Sequence, residues 1–188
     1  YPLQKKYHSL EFLREHLHLR SRTNTAASVL RTRHHIGAAV REHLNGDGFI
    51  EVQTPVITSN DCEGAGEMFD VGKGFFDTSA YLTVSGQIHA EALASSMGRV
   101  YTFGPTFRAE NSNTSRHLCE FWMIEPELSF AGMDDAIDVA QSTLTATFEK
   151  VLSECGEELD FFGQKRKGKG KGKGQSGKEE EDKDGARR

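Results

Sequence analysis

The chain has 188 residues and a formal net charge of −5, which fits one domain long enough to bury a core and does not favour nucleic-acid binding through overall charge. Its three cysteines are scattered and form no CxxC pair, so the sequence indicates neither a zinc knuckle nor a disulfide framework. No apolar run approaches the length of a membrane span, and we therefore predict no membrane association.

Residues 1–23 are polar and basic and precede the first strongly patterned helix. They lack the apolar core of a signal peptide, although the chain begins without Met and a targeting segment could precede it. His16 and His18 lie two positions apart, a spacing that does not place two ligands on one helix face. We therefore predict no metal site in this segment.

An apolar stripe at helical spacing predicts a helix over residues 24–45, and Gly46 suits its C-terminal cap. Two interpretations of the basic residues around this stripe stay open, a solvated face and an RNA contact. Residues 48–57 alternate as a strand does, and Pro55 marks its edge or its end because proline cannot donate to a strand ladder.

Residues 58–68 have the composition of a loop, in which Glu63 opens a Glu-Gly-Ala triplet. Such a loop carboxylate is either solvated or part of a site. We predict a short hairpin over residues 69–78, with its turn at Gly72 and Gly74. A brief strand over residues 81–85 follows, and Ser85 can cap the next helix.

Two strands, residues 100–107 and 120–128, are predicted to flank a polar loop. Unpaired charges within apolar strands are costly, so Arg108 and the two glutamates of the second strand should meet a partner or a ligand. An arginine at a strand end suits a phosphate or a carboxylate. The alternative is a surface hairpin with an internal Arg–Glu ion pair. In the second strand one face carries Phe121, Met123, Glu125 and Glu127.

The next predicted helix starts at Asp134 or Asp135, runs to Cys155 and ends at Gly156. Beyond it the composition changes to Lys, Gly and acidic residues with almost no apolar side chain, so we predict that residues 163–188 are disordered. The lysine block of this tail either is solvated or binds RNA weakly through phosphates.

The run YTFGPTFRAENSNTSRHLCEFWMIEPEL resembles motif 2 of the asparaginyl-tRNA synthetases of the bacterial and mitochondrial type, a branch of the class II aminoacyl-tRNA synthetases. The helix before it and GFIEVQTP resemble motif 1, which implies a homodimer interface that includes Pro55. Ser-Gly-Gln, where aspartyl enzymes typically show Ser-Pro-Gln, favours the asparaginyl branch. The resemblance implies an α+β fold, with an antiparallel sheet flanked by helices. It divides the chain into a partly mobile hinge remnant (residues 1–23), a partial catalytic domain (residues 24–162) and a tail (residues 163–188).

The resemblance also implies the roles of individual residues. Arg108 would be the catalytic residue, bridging the carboxylate of the amino acid and the α-phosphate of ATP. Around it, ATP would be bound by Arg108, Glu110, Arg116, His117 and Phe121. The amino acid would be bound by Glu63, Ser85, Gln87 and Glu125.

The implied activity is that of an asparagine–tRNA ligase, which activates asparagine with ATP and Mg²⁺ and transfers it to tRNA(Asn). The sequence shows no counterpart of the Gly-rich, Arg-ending third motif or of the acidic Mg²⁺ ligands before it, so we expect no robust ATP–pyrophosphate exchange from these 188 residues alone. The alternatives are a non-catalytic dimerisation or binding module and an aspartyl-tRNA synthetase or asparagine-synthetase-like relative. The implied compartment is the mitochondrial matrix in a eukaryote and otherwise the cytoplasm.

Overall fold

The structure is a computed structural model in which two compact units are formed, Tyr1–Gly37 with Phe148–Arg188 and Ala38–Thr147. The described residues are 1–64, 67–112, 114 and 116–171. Among them, no helix is both long enough and apolar enough to cross a membrane. The elements in chain order are α1 (Leu10–Glu15), α2 (Leu17–Arg20), α3 (Asn24–Gly46), β1 (Ile50–Glu51), β2 (Ile57–Thr58), β3 (Tyr81–Leu82), α4 (Gln87–Met97), β4 (Arg99–Phe107), β5 (Glu120–Leu128), α5 (Met133–Glu154) and α6 (Gly156–Lys171).

The first unit is held together by ion pairs between the start of α3 and the C-terminal helices. Arg31 Nε lies 2.5 Å from a carboxylate oxygen of Glu158, and His35 Nδ1 lies 2.7 Å from Glu154. The hydrogen bond from Arg31 lowers the pKa of Glu158 below its ordinary value. These contacts join segments far apart in the sequence, which the helical pattern of each segment alone does not predict.

The C-terminal helices differ from the expected single helix followed by a tail. Cys155 interrupts the run, and Gly156 opens α6 instead of ending the preceding helix. The acidic residues Glu157 and Glu158 stand in the first turn of α6, where negative charge favours a helix. From there α6 continues through residues 163–171, which we expected to be disordered. Extension of an established helix needs no new nucleus, and this offsets the low helix propensity of Gly163, Gly168 and Gly170. Residues 172–188 of the predicted tail lie outside the described residues.

The second unit is built on a three-stranded sheet in the order β1-β4-β5. β4 and β5 pair antiparallel from Arg99↔Leu128 to Phe107↔Glu120, which confirms the predicted strands to within one residue. β1 runs parallel to β4, so the sheet is mixed and its antiparallel part is the β4–β5 pair. The predicted α+β class is confirmed, and the division into hinge, catalytic part and tail stays a prediction.

The core of the second unit lies between the end of α3 and one face of the sheet. Val40 and Leu44 of α3 pack with Phe49 and Tyr101, all of them buried. The Tyr101 hydroxyl lies 3.1 Å from the side chains of Asn45 and Glu51, either of which can accept its proton. Burial and the neighbouring Glu51 carboxylate raise the pKa of Tyr101 to about 12. Of the apolar stripe predicted for α3, Val40 and Leu44 lie in this core, whereas Val29 and Leu30 are exposed.

The predicted strand over residues 48–57 is wrong in its length. Only Ile50–Glu51 and Ile57–Thr58 are strands, and they belong to different sheets. Val52 still donates its N–H to the carbonyl of Tyr101, and the pairing with β4 ends there, three residues before Pro55. The strand is therefore shorter than the alternating pattern indicated.

The predicted strand over residues 81–85 and the hairpin over residues 69–78 are also shorter than expected. β3 covers only Tyr81–Leu82 and pairs with β2. The segment predicted as a hairpin contains no regular strand. Its ends are joined by two backbone hydrogen bonds, from the N–H of Val71 to the carbonyl of Ala80 and from the N–H of Leu82 to the carbonyl of Phe69. Polar and glycine-rich sequence between these points supplies too few side chains for a packed strand pair.

Candidate active site

One face of the β4–β5 pair carries charged side chains at its two ends. Residues directly opposite in an antiparallel pair share a face, and Thr102 pairs with Glu125 while Thr106 pairs with Phe121. Arg108 continues the alternation of β4 onto this same face. The opposite face packs into the core around Tyr101. On the charged face, Val100 is covered by Ala90 and Ala94 of α4, and the part from Thr102 to Arg108 remains for a ligand.

At one end of this face, Arg108 is held between a loop carboxylate and an aromatic ring. Its Nη2 donates to a carboxylate oxygen of Glu63 at 2.6 Å, and its guanidinium carbon lies 5.4 Å from the centroid of the Phe121 ring. Its Nε is buried and has no hydrogen-bond partner among the described residues. A buried guanidinium N–H without an acceptor is costly, so this group is suited to an incoming anion.

A cavity of about 470 Å³ opens beside Arg108 and brings all five predicted ATP-binding residues together. Two side chains position the ring of His117 in this cavity. Its Nδ1 lies 3.1 Å from Ser112 Oγ, and its Nε2 lies 3.7 Å from a carboxylate oxygen of Glu110. Thr114 also contacts the ring of His117. The lining side chains are Arg108, Glu110, Ser112, Arg116, His117, Leu118, Cys119 and Phe121.

At the other end of the face, the carboxylate of Glu125 is fixed by two donors from the segment before α4. The Ser85 hydroxyl donates to one carboxylate oxygen, and the N–H of Gly86 donates to the other at 3.1 Å. The Ser85 hydroxyl in turn accepts the N–H of Gln87 at 3.1 Å. The N-cap position belongs to Gly86, but the expected capping role of Ser85 is retained, because its hydroxyl accepts the first N–H of α4 while it donates to Glu125.

The predicted amino-acid-binding residues are therefore distributed between the two ends. Ser85 and Glu125 are in contact, Glu63 lies with Arg108, and the Gln87 residue is exposed at the start of α4. Pro55, the predicted dimer-interface residue, is exposed between β1 and β2. The alternative of an ion pair internal to the hairpin differs from what is observed, since the anionic partner of Arg108 is Glu63, in a loop outside β4 and β5.

One further carboxyl group and one thiol group of this region have shifted pKa values. Burial, reinforced by the neighbouring carboxylates of Glu91 and Glu125, raises the pKa of Glu127. Burial also raises the pKa of the Cys62 thiol, which donates to the carbonyl of Ser85 at 3.6 Å. Within the described ranges, no group of three or more His, Cys, Asp or Glu side chains is arranged to hold a metal ion.

In the sequence, Gly86 was noted only as the middle residue of Ser-Gly-Gln, and the two threonines beside it were missed. A Cβ placed on Gly86 would lie 2.6 Å from Thr54 Oγ1 and 2.8 Å from Thr102 Cγ2. The only signal in the sequence is a glycine between two residues that were already singled out. Its meaning depends on threonines that are distant in the chain and become neighbours only in the fold.

Comparison with known proteins identifies relatives along most of the chain. The family model for class II tRNA synthetases (D, K and N) matches residues 9–175. The asparagine–tRNA ligase of Microcystis aeruginosa is 52% identical over 176 residues, which cover 88% of this chain and 39% of that protein. The chain thus spans about 39% of the length of this curated relative.

Solved structures of the same family share the fold. The asparaginyl-tRNA synthetase from Pyrococcus horikoshii complexed with asparaginyl-adenylate has a TM-score of 0.78 and 32% identity, covering 82% of this chain and 35% of that one. A putative aspartyl-tRNA synthetase from Leishmania major has a TM-score of 0.72 and 27% identity, covering 85% of this chain and 30% of that one. From the match of the family model and the identity to its relatives, this chain belongs to the class II tRNA synthetases of the D, K and N group.

Proposed function

We propose that this chain carries the part of an asparagine–tRNA ligase that binds asparagine and ATP. The observation that carries the proposal is Arg108, whose guanidinium faces a cavity with a buried N–H left to satisfy. Relatives about half identical to this chain are asparagine–tRNA ligases, which supports asparagine as the amino acid.

In the proposed first step, a carboxylate oxygen of asparagine attacks the α-phosphorus of ATP. The bond from this phosphorus to the bridging oxygen breaks, and pyrophosphate leaves with the bonding electrons. Arg108 would hold both reacting groups, because its planar fork can donate to a carboxylate and a phosphate at once. No protein nucleophile is needed, so positioning and charge stabilisation supply the catalysis.

The remaining lining residues of the Arg108 cavity would hold the rest of the nucleotide. Arg116 and His117 supply donors for the outer phosphates, and Glu110 would contact the adenine end. Phe121 would stack on adenine with the ring surface that Arg108 leaves open. Mg²⁺ would arrive with the phosphates and offset their charge.

The Glu125 end would bind the amino acid. A carboxylate with two of its acceptor positions already occupied by Ser85 and Gly86 still accepts hydrogen bonds from an ammonium or an amide. The side-chain amide of asparagine offers such donors, whereas the carboxylate of aspartate would face repulsion from Glu125. Glu63 would exchange Arg108 for the α-ammonium group when substrates enter.

In the proposed second step, the terminal adenosine hydroxyl of tRNA(Asn) attacks the carbonyl carbon of the adenylate and AMP leaves.

A homodimer formed through α3 and the segment that holds Pro55 is part of the proposal, supported by the exposed apolar side chains of Val29 and Leu30 on α3. We also propose a location in the mitochondrial matrix if the source is a eukaryote, and in the cytoplasm otherwise. Fluorescence imaging of the tagged protein tests this location.

Calorimetric titration with the non-hydrolysable sulfamoyl analogue of asparaginyl-adenylate tests the proposal on the 188-residue chain. We expect binding that Arg108→Ala weakens about 100-fold, because an ionised double donor is lost. The matched control is Arg99→Ala, which removes an exposed arginine of β4 that pairs with Asp47 and should leave the affinity unchanged. Equal affinity of the parent and Arg108→Ala would contradict the proposal.

A second candidate is aspartate activation, which the structural similarity to the Leishmania protein favours. Titration with the aspartyl form of the same analogue separates the two candidates. Tighter binding of the asparaginyl form supports asparagine, and tighter binding of the aspartyl form replaces it. A chain that binds neither form but dimerises in analytical ultracentrifugation would be a non-catalytic dimerisation module.

A further inference from the structure

Gly86 occupies a position where the structure admits no side chain. A Cβ there would approach Thr54 Oγ1 to 2.6 Å and Thr102 Cγ2 to 2.8 Å, and it would stand 3.4 Å from a carboxylate oxygen of Glu125. Real Cβ atoms essentially never show the first two separations. Gly86 itself is buried, at the N-cap of α4.

The requirement for glycine at this position is steric and does not come from its backbone angles. Its φ is −83° and its ψ is −1°, values that other residues adopt readily. The close packing instead brings the backbone N–H of Gly86 to 3.1 Å from Glu125 Oε2. Close approach of the backbone to Glu125 is thus what the missing side chain makes possible.

The hydrogen bond from Gly86 controls where the Glu125 carboxylate points. Ser85 holds the other carboxylate oxygen, so the two donors together fix both oxygens and the plane of the group. With only one of these donors, the carboxylate could rotate about the single remaining hydrogen bond. The N–H is attached to a buried backbone, which cannot turn away as a side-chain hydroxyl can.

We propose that Gly86 is a positioning residue for side-chain selectivity, acting through the hydrogen bond from its N–H to Glu125. This inference rests on the proposed function, in which Glu125 accepts hydrogen bonds from the side-chain amide of asparagine. With its plane fixed, the carboxylate presents its free lone pairs to an –NH₂ group and opposes a second carboxylate at the same place. Without the N–H, Glu125 turns and this discrimination is lost.

Three variants separate the N–H from the shape of the residue. The background Thr54→Ala with Thr102→Ser removes the two atoms that a Cβ would meet. In this background Gly86→Ala adds a Cβ and keeps the N–H, whereas Gly86→Pro adds a Cβ and removes it. An amide-to-ester replacement at Gly86 in the parent chain deletes the N–H alone, and it serves as the decisive variant if the proline variant fails to fold.

The measurement is the ratio of affinities for the asparaginyl and aspartyl sulfamoyl adenylates, determined by calorimetry on the 188-residue chain. We expect the background and Gly86→Ala to keep the parental ratio within about threefold, and the proline and ester variants to lower it about tenfold, the effect of one hydrogen bond to a charged group. Affinity for ATP alone should stay unchanged in all of them, because the Arg108 cavity is not altered.

The outcomes distinguish the inference from the proposed function. If the parent prefers the asparaginyl form and the ester variant keeps this preference, Gly86 does not set selectivity and the proposed function stands. If the parent binds neither form, the proposed function fails and the inference fails with it. An ester variant that loses selectivity together with ATP affinity shows a general structural defect and also overturns the inference.

Discussion

The two ends of the β4–β5 face hold their charges in different ways. Glu125 is fixed by a buried hydroxyl and a buried backbone N–H, from Ser85 and Gly86. Arg108 is held by Glu63, a side chain of an exposed loop, and still has a buried N–H without a partner among the described residues. The acidic end is therefore organised before a ligand arrives, and the basic end is organised around a partner that a ligand can replace.

This difference fits the division of tasks between the two ends in the proposed reaction. Selectivity between two similar side chains requires a group that does not move, because a mobile carboxylate adapts to either ligand. Binding of a reacting carboxylate and phosphate requires a cation that can change partners. The exposed ion pair between Arg108 and Glu63 costs little to break, since such pairs contribute at most about 1 kcal/mol.

The largest expected effect that would sharpen this comparison comes from Arg108→Lys. The lysine keeps the positive charge but loses the planar fork that can donate to two ligand groups, so the asparaginyl analogue should bind about tenfold or more weakly. Calorimetry measures the affinity, with Arg116→Lys on the exposed loop as the comparison that should cost less. An unchanged affinity in Arg108→Lys would reduce the role of Arg108 to that of a point charge.

Glu63→Gln should give a smaller effect in the opposite direction for ATP. It removes the anion that occupies Arg108 in the ligand-free chain, so ATP should bind roughly twofold to fivefold more tightly, the value of an exposed ion pair. Glu67→Gln changes a nearby loop carboxylate and provides the control. Weaker ATP binding in Glu63→Gln would show that Glu63 orients Arg108 for the nucleotide and does not compete with it.

The smallest expected effect concerns Glu127, on the same strand as Glu125. Because burial and the neighbouring carboxylates raise its pKa in the folded chain, ionisation of Glu127 opposes folding. The stabilisation that comes from protonated Glu127 is fully present below the pKa that Glu127 has in the unfolded chain. It is lost as the pH rises through the raised pKa of Glu127 in the folded chain. Glu127→Gln should therefore be more stable than the parent at pH 7, by roughly a few tenths of a kcal/mol, and should lose this advantage at acid pH.

Urea denaturation at pH 7 and at pH 4 measures that difference, with Glu120→Gln at the start of β5 as the control on an exposed glutamate. A parent chain that is more stable than Glu127→Gln at pH 7 would mean that Glu127 has a cationic partner in solution.

The sequence predicted the parts of the fold that depend on local patterns. The β4–β5 boundaries and α3 follow from alternating and helical apolar spacing, and the structure confirms them. The length of β1 was overestimated, because the alternating pattern continues beyond the point where the pairing with β4 ends. The parallel pairing of β1 and β4 depends on the path of the chain between them, which no local pattern contains.

The candidate site was predictable in its residues but not in its contacts. Motif resemblance indicated Arg108, Phe121 and Glu125, and the structure places them on one face. It could not indicate that Glu63 pairs with Arg108, because this contact joins a loop to a strand 45 positions away. It indicated Gly86 only through Ser-Gly-Gln and could not indicate the crowding there, which depends on two threonines that are distant in the chain.

The crowding at Gly86 has a consequence for how such a site can change over generations. Any side chain at this position collides with Thr54 and Thr102 unless both have already become smaller, so no single-codon replacement of Gly86 is tolerated without strain. A mutational path that replaces Gly86 without strain first requires smaller side chains at Thr54 and Thr102. The Thr54 hydroxyl and the Thr102 methyl group thus restrict position 86 to glycine.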